Sequence, residues 1–297
     1  MVSDMYPHFQ PICLDVRLEL QEYVQRFPPY SDFNVWNMMG WASQERRSYS
    51  FLNDNLVMRS WDCYDNRYVY SVLGASRIDD TLRELCHNIT WLELIPEIVV
   101  RSISDRRHFT IEEDPDNHDY ILSMEKLINL SGNSLYSIRV EVSRFAKYYP
   151  DHRIKFLDFN NIQDRSDIIK TTKLWCAMKG LSESGTQSEV DGIGSFMQYA
   201  CFFRYVSLGL YLGKKMIGFT INEVVNDNIA ITHFGISDLT YEGSSRYLAH
   251  TTAKILNQLG CIYLNYEQDM GIPGLKRAKL AYRPVSFLKK YKIRIID

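Results

Sequence analysis

The chain has 297 residues, 45% of them hydrophobic and 24% charged, with a formal net charge of −2. That length fits two domains of ordinary size, and the composition excludes a disordered chain. The near-neutral balance excludes a domain that is basic throughout, so any anion-binding surface has to be local.

No window approaches the roughly 18 consecutive apolar residues of a membrane span. The N-terminus lacks the basic region and apolar stretch of a signal peptide, and a cytoplasmic protein is expected. The six cysteines, Cys13, Cys63, Cys86, Cys176, Cys201 and Cys261, form no C-x-x-C pair. They are expected to be buried, reduced thiols. No metal-ligand spacing such as H-E-x-x-H is present, and neither is a Gly-rich phosphate loop.

Periodicity and breakers give the elements in chain order. Residues 14–26, LDVRLELQEYVQR, carry a helical repeat, and the Pro-marked turn of FPPYSDFNVWNMMGW leads into a short aromatic helix. YSFLNDNLVMRSW and RYVYSVLGA read as two strands around a turn at DCYDN, and IDDTLRELCHN as a helix with an acidic first turn. WLELIPEIVVRSI reads as a strand and its approach, DRRHFTIEEDPDNHDY as a polar excursion, and LYSIRVEVSRFAKYYP as a helix closing the first half. The second half opens with a strand, HRIKFLDF, and a helix, RSDIIKTTKLWCAMKG, with a Ser cap and a Gly stop. A polar loop, SESGTQSEVDG, a second helix, IGSFMQYACFF, and a hairpin turning at Gly213-Lys214 follow. Then come a strand, NIAITHFGIS, a long helix ending on Gly260, a strand, CIYLNY, a basic helix and a last strand, FLKKYKIRII.

Each half thus runs from helices to a meander, then to a helix and a further strand. That order matches the acyltransferase module called GNAT. The expected fold class is α/β (α+β), with two tandem GNAT-like modules, each a mixed, mostly antiparallel sheet flanked by helices. The expected boundary is near Pro150, giving modules over residues 1–150 and 151–297, the second carrying the active site.

One stretch concentrates chemistry. YLNYEQDMGIPGLKRAKLAYRP, Tyr263 to Pro284, ends a strand on acids and turns into a basic helix, and from Lys276 to Arg294 there are eight Lys or Arg and no Asp or Glu. Helical spacing puts Leu275, Ala278 and Tyr282 on one face, with Lys276, Lys279 and Arg283 as a stripe beside it. Pro273 suits a first helical turn. From spacing alone, a solvated basic helix capped by acidic residues explains this stretch better than a catalytic site does.

The same stretch resembles the C-terminal signature of the lysyl-phosphatidylglycerol synthase C-terminal domain family, approximately N-R-E-x-D-x-G-x-x-G-L-R-x-x-K-x-x-Y-x-P. Asn265, Glu267, Asp269, Gly271, Gly274, Leu275, Lys279, Tyr282 and Pro284 match, while Tyr266 and Lys276 replace arginines. Arg139, Arg144 and Phe145 resemble the family's central basic segment, with Ile138 and Val140 where Lys and Asn are usual. His233 and Gly243 fit the strand and helix before the signature, and PPYSDFNVWNMMGW resembles the opening of stand-alone members.

The resemblance implies a tandem GNAT-like fold related to the Fem peptidyltransferases. It also implies transfer of an aminoacyl group from aminoacyl-tRNA to an acceptor, with no other cofactor. Lys279 is then expected to stabilise the oxyanion or hold the tRNA 3′ phosphates. Asp269 or Glu267 is expected to bind the donor's α-ammonium or assist acceptor deprotonation. Lys276, Arg277, Arg283, Lys289 and Lys290 are expected to meet phosphates. Asn265, Arg139, His233 and Tyr282 complete the expected substrate-binding set. The replaced polar positions and the absence of a membrane-embedded half point to a soluble small-molecule or peptide acceptor. Two alternatives stand beside this reading: an acyl-CoA-dependent N-acyltransferase, although TYEGSSRYL lacks the leading Arg or Gln of the usual CoA loop, and a non-catalytic tRNA- or protein-binding module.

Overall fold

The computed structural model describes residues 5–42, 46–62 and 66–296. The first four residues and the centre of the expected DCYDN turn, Cys63 included, lie outside them. The chain forms two compact units: one holds the residues up to Asp119 with Gln268–Gly271 and those from Phe287 on, the other Tyr120–Glu267 with Ile272–Ser286.

In the first unit, helices α1 (Arg17–Val24) and α2 (Val35–Gly40) accompany a four-stranded antiparallel sheet. Its order is β1 (Gln10–Pro11), β2 (Ser48–Leu52), β3 (Asn55–Asp62), β4 (Arg67–Leu73). The run YSFLNDNLVMRSW, expected as one strand, is two. Asn53 and Asp54 both take positive φ, 52° and 60°, the left-handed pair a two-residue hairpin requires and which Asn and Asp tolerate. Helix α3 (Ile78–Cys86) turns Ile78, Leu82 and Leu85 inward, and β5 (Leu92–Pro96) leads into α4 (Glu97–Arg101). The expected polar excursion contains a strand, β6 (Phe109–Glu113). It is an edge strand with exposed final glutamates, which is why its composition hid it. The C-terminal strand, Lys290–Ile295, lies between β5 and β6, antiparallel to both. Val57, Leu82, Ile95, Phe109 and Ile293 meet in this unit's core.

The second unit runs β7 (Asp119–Ser123), α5 (Met124–Asn129), α6 (Tyr136–Tyr148), β8 (His152–Phe156), α7 (Ile162–Lys179) and α8 (Glu183–Tyr199). It continues with β9 (Tyr205–Leu212), β10 (Lys215–Val224), β11 (Ile229–Ser237), α9 (Ser244–Gln258), β12 (Tyr263–Asn265) and α10 (Pro273–Leu280). The expected last strand is split into β13 (Ser286–Leu288) and the C-terminal strand, β14. The sheet order is β13-β7-β12-β11-β10-β9-β8, with the β11–β12 pair parallel and the pairs from β12 to β7 and from β11 through β8 antiparallel. β10 is buried along nearly its whole length, as a central strand covered on both faces should be. Helix α9 forms through packing: Leu248, Ala253 and Leu256 join α5 and α6 residues over β9 and β10, each large side chain contributing about 1.5–3 kcal/mol of burial.

Two helix boundaries differ from expectation. α7 starts at Asn161, whose side chain accepts from Gln163 and Asp164 N–H, rather than at the expected serine; Gly180 ends it in the left-handed conformation, as expected. The expected polar loop SESGTQSEVDG is the first part of α8, capped by Ser182. Its Gly and Ser content lowers propensity, but burial of Ile193, Phe196 and Met197 overrides that. Pro150, the expected module boundary, lies in the second unit between α6 and β8. Mixed, mostly antiparallel sheets flanked by helices make up the fold, and the order helices, three-stranded meander, helix, strand, helix recurs in both halves, the first half ending in two further helices, α5 and α6. Of the five described cysteines, Cys86, Cys176 and Cys261 are buried and Cys13 and Cys201 are exposed, so not all are the buried thiols expected.

Candidate functional site

The site in the second unit begins with a failure of pairing. β11 and β12 run parallel with register over Ile229–Ile231 and Tyr263–Asn265 only. Beyond Ile231, β11 continues to Ser237 with β10 as its one ladder partner among the described residues, so the two strands part from their common ladder there, a notch in the pairing. Gly235 is exposed in the middle of β11, leaving main-chain atoms reachable from the notch.

His233 sits at the start of this divergence. Ile221 pairs with Phe234 and Asn222 with Thr232, so His233 is the extra residue of a β-bulge, a device that re-aims a side chain. Its Nδ1 lies 3.1 Å from Glu267 Oε1 and its Nε2 3.2 Å from Glu223 Oε2. Burial on its own would push the imidazole's pKa down; the hydrogen bonds and charges of Glu223 and Glu267 outweigh it and raise the pKa to about 9. At neutral pH both ring nitrogens therefore carry protons and donate, and His233 is an imidazolium strut rather than a general base.

Glu267 is the member of this triad that reaches solvent, with 21% of its side chain exposed, against 6% for Glu223. The backbone prepares it. Asn265, fully buried, accepts the Glu267 N–H at 2.8 Å, and Glu267 takes a left-handed φ of 54°. Its carbonyl accepts from Tyr120 N, which ties the turn to β7.

Helix α10 starts at Pro273 as expected, but its faces are rotated from the expected ones. Lys279 is buried, not part of an exposed stripe. Its ammonium donates to the Tyr266 carbonyl and lies over the rings of Tyr266 and Tyr120. That environment suits it to holding the β12–α10 connection. Tyr282 is buried too, edge-on to Tyr266 and under the Arg246 guanidinium, 4.5 Å from the ring; burial pushes its hydroxyl pKa up against the opposing effect of Arg246. Arg246 also donates to the Ala278 carbonyl. Lys276 is half-buried on α10, while Arg277 and Arg283 are exposed. Arg139 is engaged in capping: it donates to the Leu130 and Gly132 carbonyls after α5.

Asp269 belongs to the first unit, where it is buried and accepts the Gly271 N–H at 2.9 Å. Lys290, expected on phosphates, is fully buried in that unit among Asp119, Asp32, Ser31 and Gln268. A lysine with no solvent exposure and two carboxylates around it has no charge to offer a phosphate. Lys289 pairs with Glu113 at 3.0 Å. The structure thus brings Asn265, Glu267 and His233 together at the notch, with Lys279 and Tyr282 behind them. Glu223 and Arg246 escaped the sequence reading; the one available signal for Glu223 was a lone carboxylate in an apolar strand, one hairpin away from His233.

Gly243 starts α9 at φ 81°, and a Cβ there would stand 2.6 Å from the Glu141 carbonyl. Gly243→Ala is expected to cost roughly 1–3 kcal/mol, read as a lower denaturation midpoint at unchanged m-value.

No described helix is long and apolar enough to cross a membrane. A model of the family described as phosphatidylglycerol lysyltransferase, C-terminal, matches residues 30–294. A conserved protein of unknown function from Bacteroides thetaiotaomicron is similar in structure, with TM-score 0.83, 22% identity and coverage of 98% of this chain and 100% of that one. The C-terminal domain of a protein assigned as lysylphosphatidylglycerol synthetase from Agrobacterium fabrum is similar with TM-score 0.63 and 12% identity, covering 95% and 93%. At these identities the likeness is one of fold. An uncharacterised protein of Mycoplasmoides gallisepticum is 28% identical over 187 residues, 60% of this chain. That match spans 56% of the relative's length.

Proposed function

The chain belongs to the phosphatidylglycerol lysyltransferase C-terminal family, and from that premise we propose that it is an aminoacyltransferase whose donor is aminoacyl-tRNA and whose acceptor is a soluble small molecule or peptide. The observation that carries the reading is the Glu267 carboxylate, held by an imidazolium at a notch with exposed main chain. A partly exposed carboxylate that is hydrogen-bonded to His233 is suited to the α-ammonium of an aminoacyl ester. The acceptor's nucleophilic atom adds to the ester carbonyl, the bond to the ribose oxygen breaks, and the acceptor's proton ends on that oxygen. Main-chain groups at the exposed Gly235 of β11 are suited to meet the oxyanion. Arg277 and Arg283, both exposed, take the phosphates. Lys279 acts by holding the turn that carries Glu267, and its loss is expected to lower stability together with activity.

A soluble acceptor is favoured by the departures from the family pattern. Ile138, where Lys is usual, lies in the core, and Tyr266, where Arg is usual, packs on Tyr282. Neither offers a charge to a lipid headgroup.

The test is transfer from charged total tRNA to a panel of amines, alcohols and short peptides, followed by mass spectrometry. Glu267→Gln keeps the shape and is expected to lower kcat/KM roughly 10- to 100-fold, the worth of a charge-assisted hydrogen bond. Transfer from acyl-CoA with none from charged tRNA would replace this reading with the acyl-CoA one. No transfer from either donor would leave a binding module.

A further inference from the structure

The first unit contains a cavity of ≈ 620 Å³ beside β4 and β5, within the range of small-molecule sites. It is remote in sequence from the notch residues and nothing in the transfer reaction uses it. Three rings form its aromatic wall: Tyr68, Tyr70 and Trp91. Its charged wall is made by Arg67, Lys292, Glu93 and Glu112.

The charged wall is built at some cost. Between Leu92 and Ile95, β5 places two residues, Glu93 and Leu94, opposite Lys292 alone on β14. Leu94 takes a φ of 54°, a left-handed conformation unfavourable for a leucine. The resulting bulge sets the buried Glu93 carboxylate between two cations, with Arg67 at 2.5 Å on one oxygen and Lys292 at 2.8 Å on the other. Burial would raise the Glu93 pKa, but the two cations hold it below the usual carboxylate value, so it stays ionised. Glu112 faces Lys292 across the ladder and is exposed, with no ion pair among the described residues.

The four charges sum to zero, two positive and two negative. A simple anion or a simple cation would find as much repulsion as attraction. A ligand carrying both signs a few ångströms apart would meet both, and its ammonium would gain further from the faces of tyrosine and tryptophan rings. We propose that this cavity binds a small zwitterion, a free amino acid, with its ammonium between the aromatic wall and Glu112 and its carboxylate on Arg67 and Lys292. The proposal stands independently of the transfer reaction, since a free amino acid is not an activated donor.

Isothermal titration of the full chain with each of the twenty amino acids, with sodium acetate and tetramethylammonium chloride as half-ligands, tests it. At least one amino acid is expected to bind more tightly than either half-ligand. Trp91→Leu and the surface change Glu112→Gln should each weaken binding about tenfold, with unchanged circular dichroism, whereas Glu267→Gln should not alter it. Absence of binding by all twenty overturns the proposal. So does binding that both cavity variants leave intact, or acetate binding as tightly as the best amino acid. Binding lost only in Glu267→Gln would place the amino acid in the notch and equally overturn it.

Discussion

Lys290→Met is expected to destabilise the protein by about 3–5 kcal/mol, the cost of breaking a buried ion pair from one side. The ammonium lies 2.7 Å from Asp119 Oδ1 and is also paired with Asp32, and neither Lys290 nor Asp119 has any exposed surface. Burial disfavours the charge, yet the two carboxylates raise the lysine's pKa above its ordinary value, so the group is ionised at neutral pH. Ser31 donates both its N–H and its hydroxyl to Asp119, each at 2.7 Å, and Gln268 joins through Ser31 at 2.7 Å. Removing the cation leaves two carboxylates in a site built for a net charge one unit higher. Denaturant melts of the single variant, of Asp119→Asn and of the double variant give the coupling. The double variant is expected to recover part of the loss, because it removes one orphaned charge. Strict additivity would mean that the cluster is not a unit. Because Gln268 precedes Asp269 and follows Glu267, a drop in transfer activity at temperatures where Lys290→Met remains folded would also mark the cluster as positioning the signature segment.

The second large effect is a pH dependence. His233 has a folded pKa of about 9, against roughly 6.5 in an unfolded chain. A group whose folded pKa is raised contributes stability that is fully present below the unfolded value and is lost as pH rises through the folded one. The contribution is roughly 3 kcal/mol at pH 6 and falls away between about pH 6.5 and 9. Nuclear magnetic resonance of the His233 ring protons should give a midpoint near 9. Glu267→Gln should move that midpoint down, since it removes one of the two charges facing the ring, and should flatten the stability profile over the same range. A wild-type midpoint at the ordinary value of 6.5 would remove the imidazolium and with it the argument that His233 orients Glu267 as a charged donor. His233→Gln, neutral and with both its N–H donors on one nitrogen, is expected to lower stability most at acid pH and least above pH 9.

Much of this molecule was determined by its sequence alone. Period and breakers give the helices at Arg17–Val24, Ile78–Cys86, Tyr136–Tyr148 and Ser244–Gln258, and the hairpin at Gly213-Lys214, because each is a local pattern enforced by local chemistry. The family signature marks Asn265, Glu267 and Lys279, and with them the region of the site. Tertiary structure alone decided where these residues sit and what they touch. Lys279 and Lys290 read as free cations in the sequence, yet both are buried, since exposure depends on partners distant in the chain: Tyr120 for one, Asp32 and Asp119 for the other. The strand β6 was hidden by its polarity because an edge position does not require an apolar pattern. The charge state of His233 is legible only after a bulge in β11 has aimed it at Glu223 across the hairpin and at Glu267 beyond β12. The alternation of residues reports burial, but a pKa is set by the two or three groups nearest in space, and their identity is a property of register and topology rather than of the chain read in order.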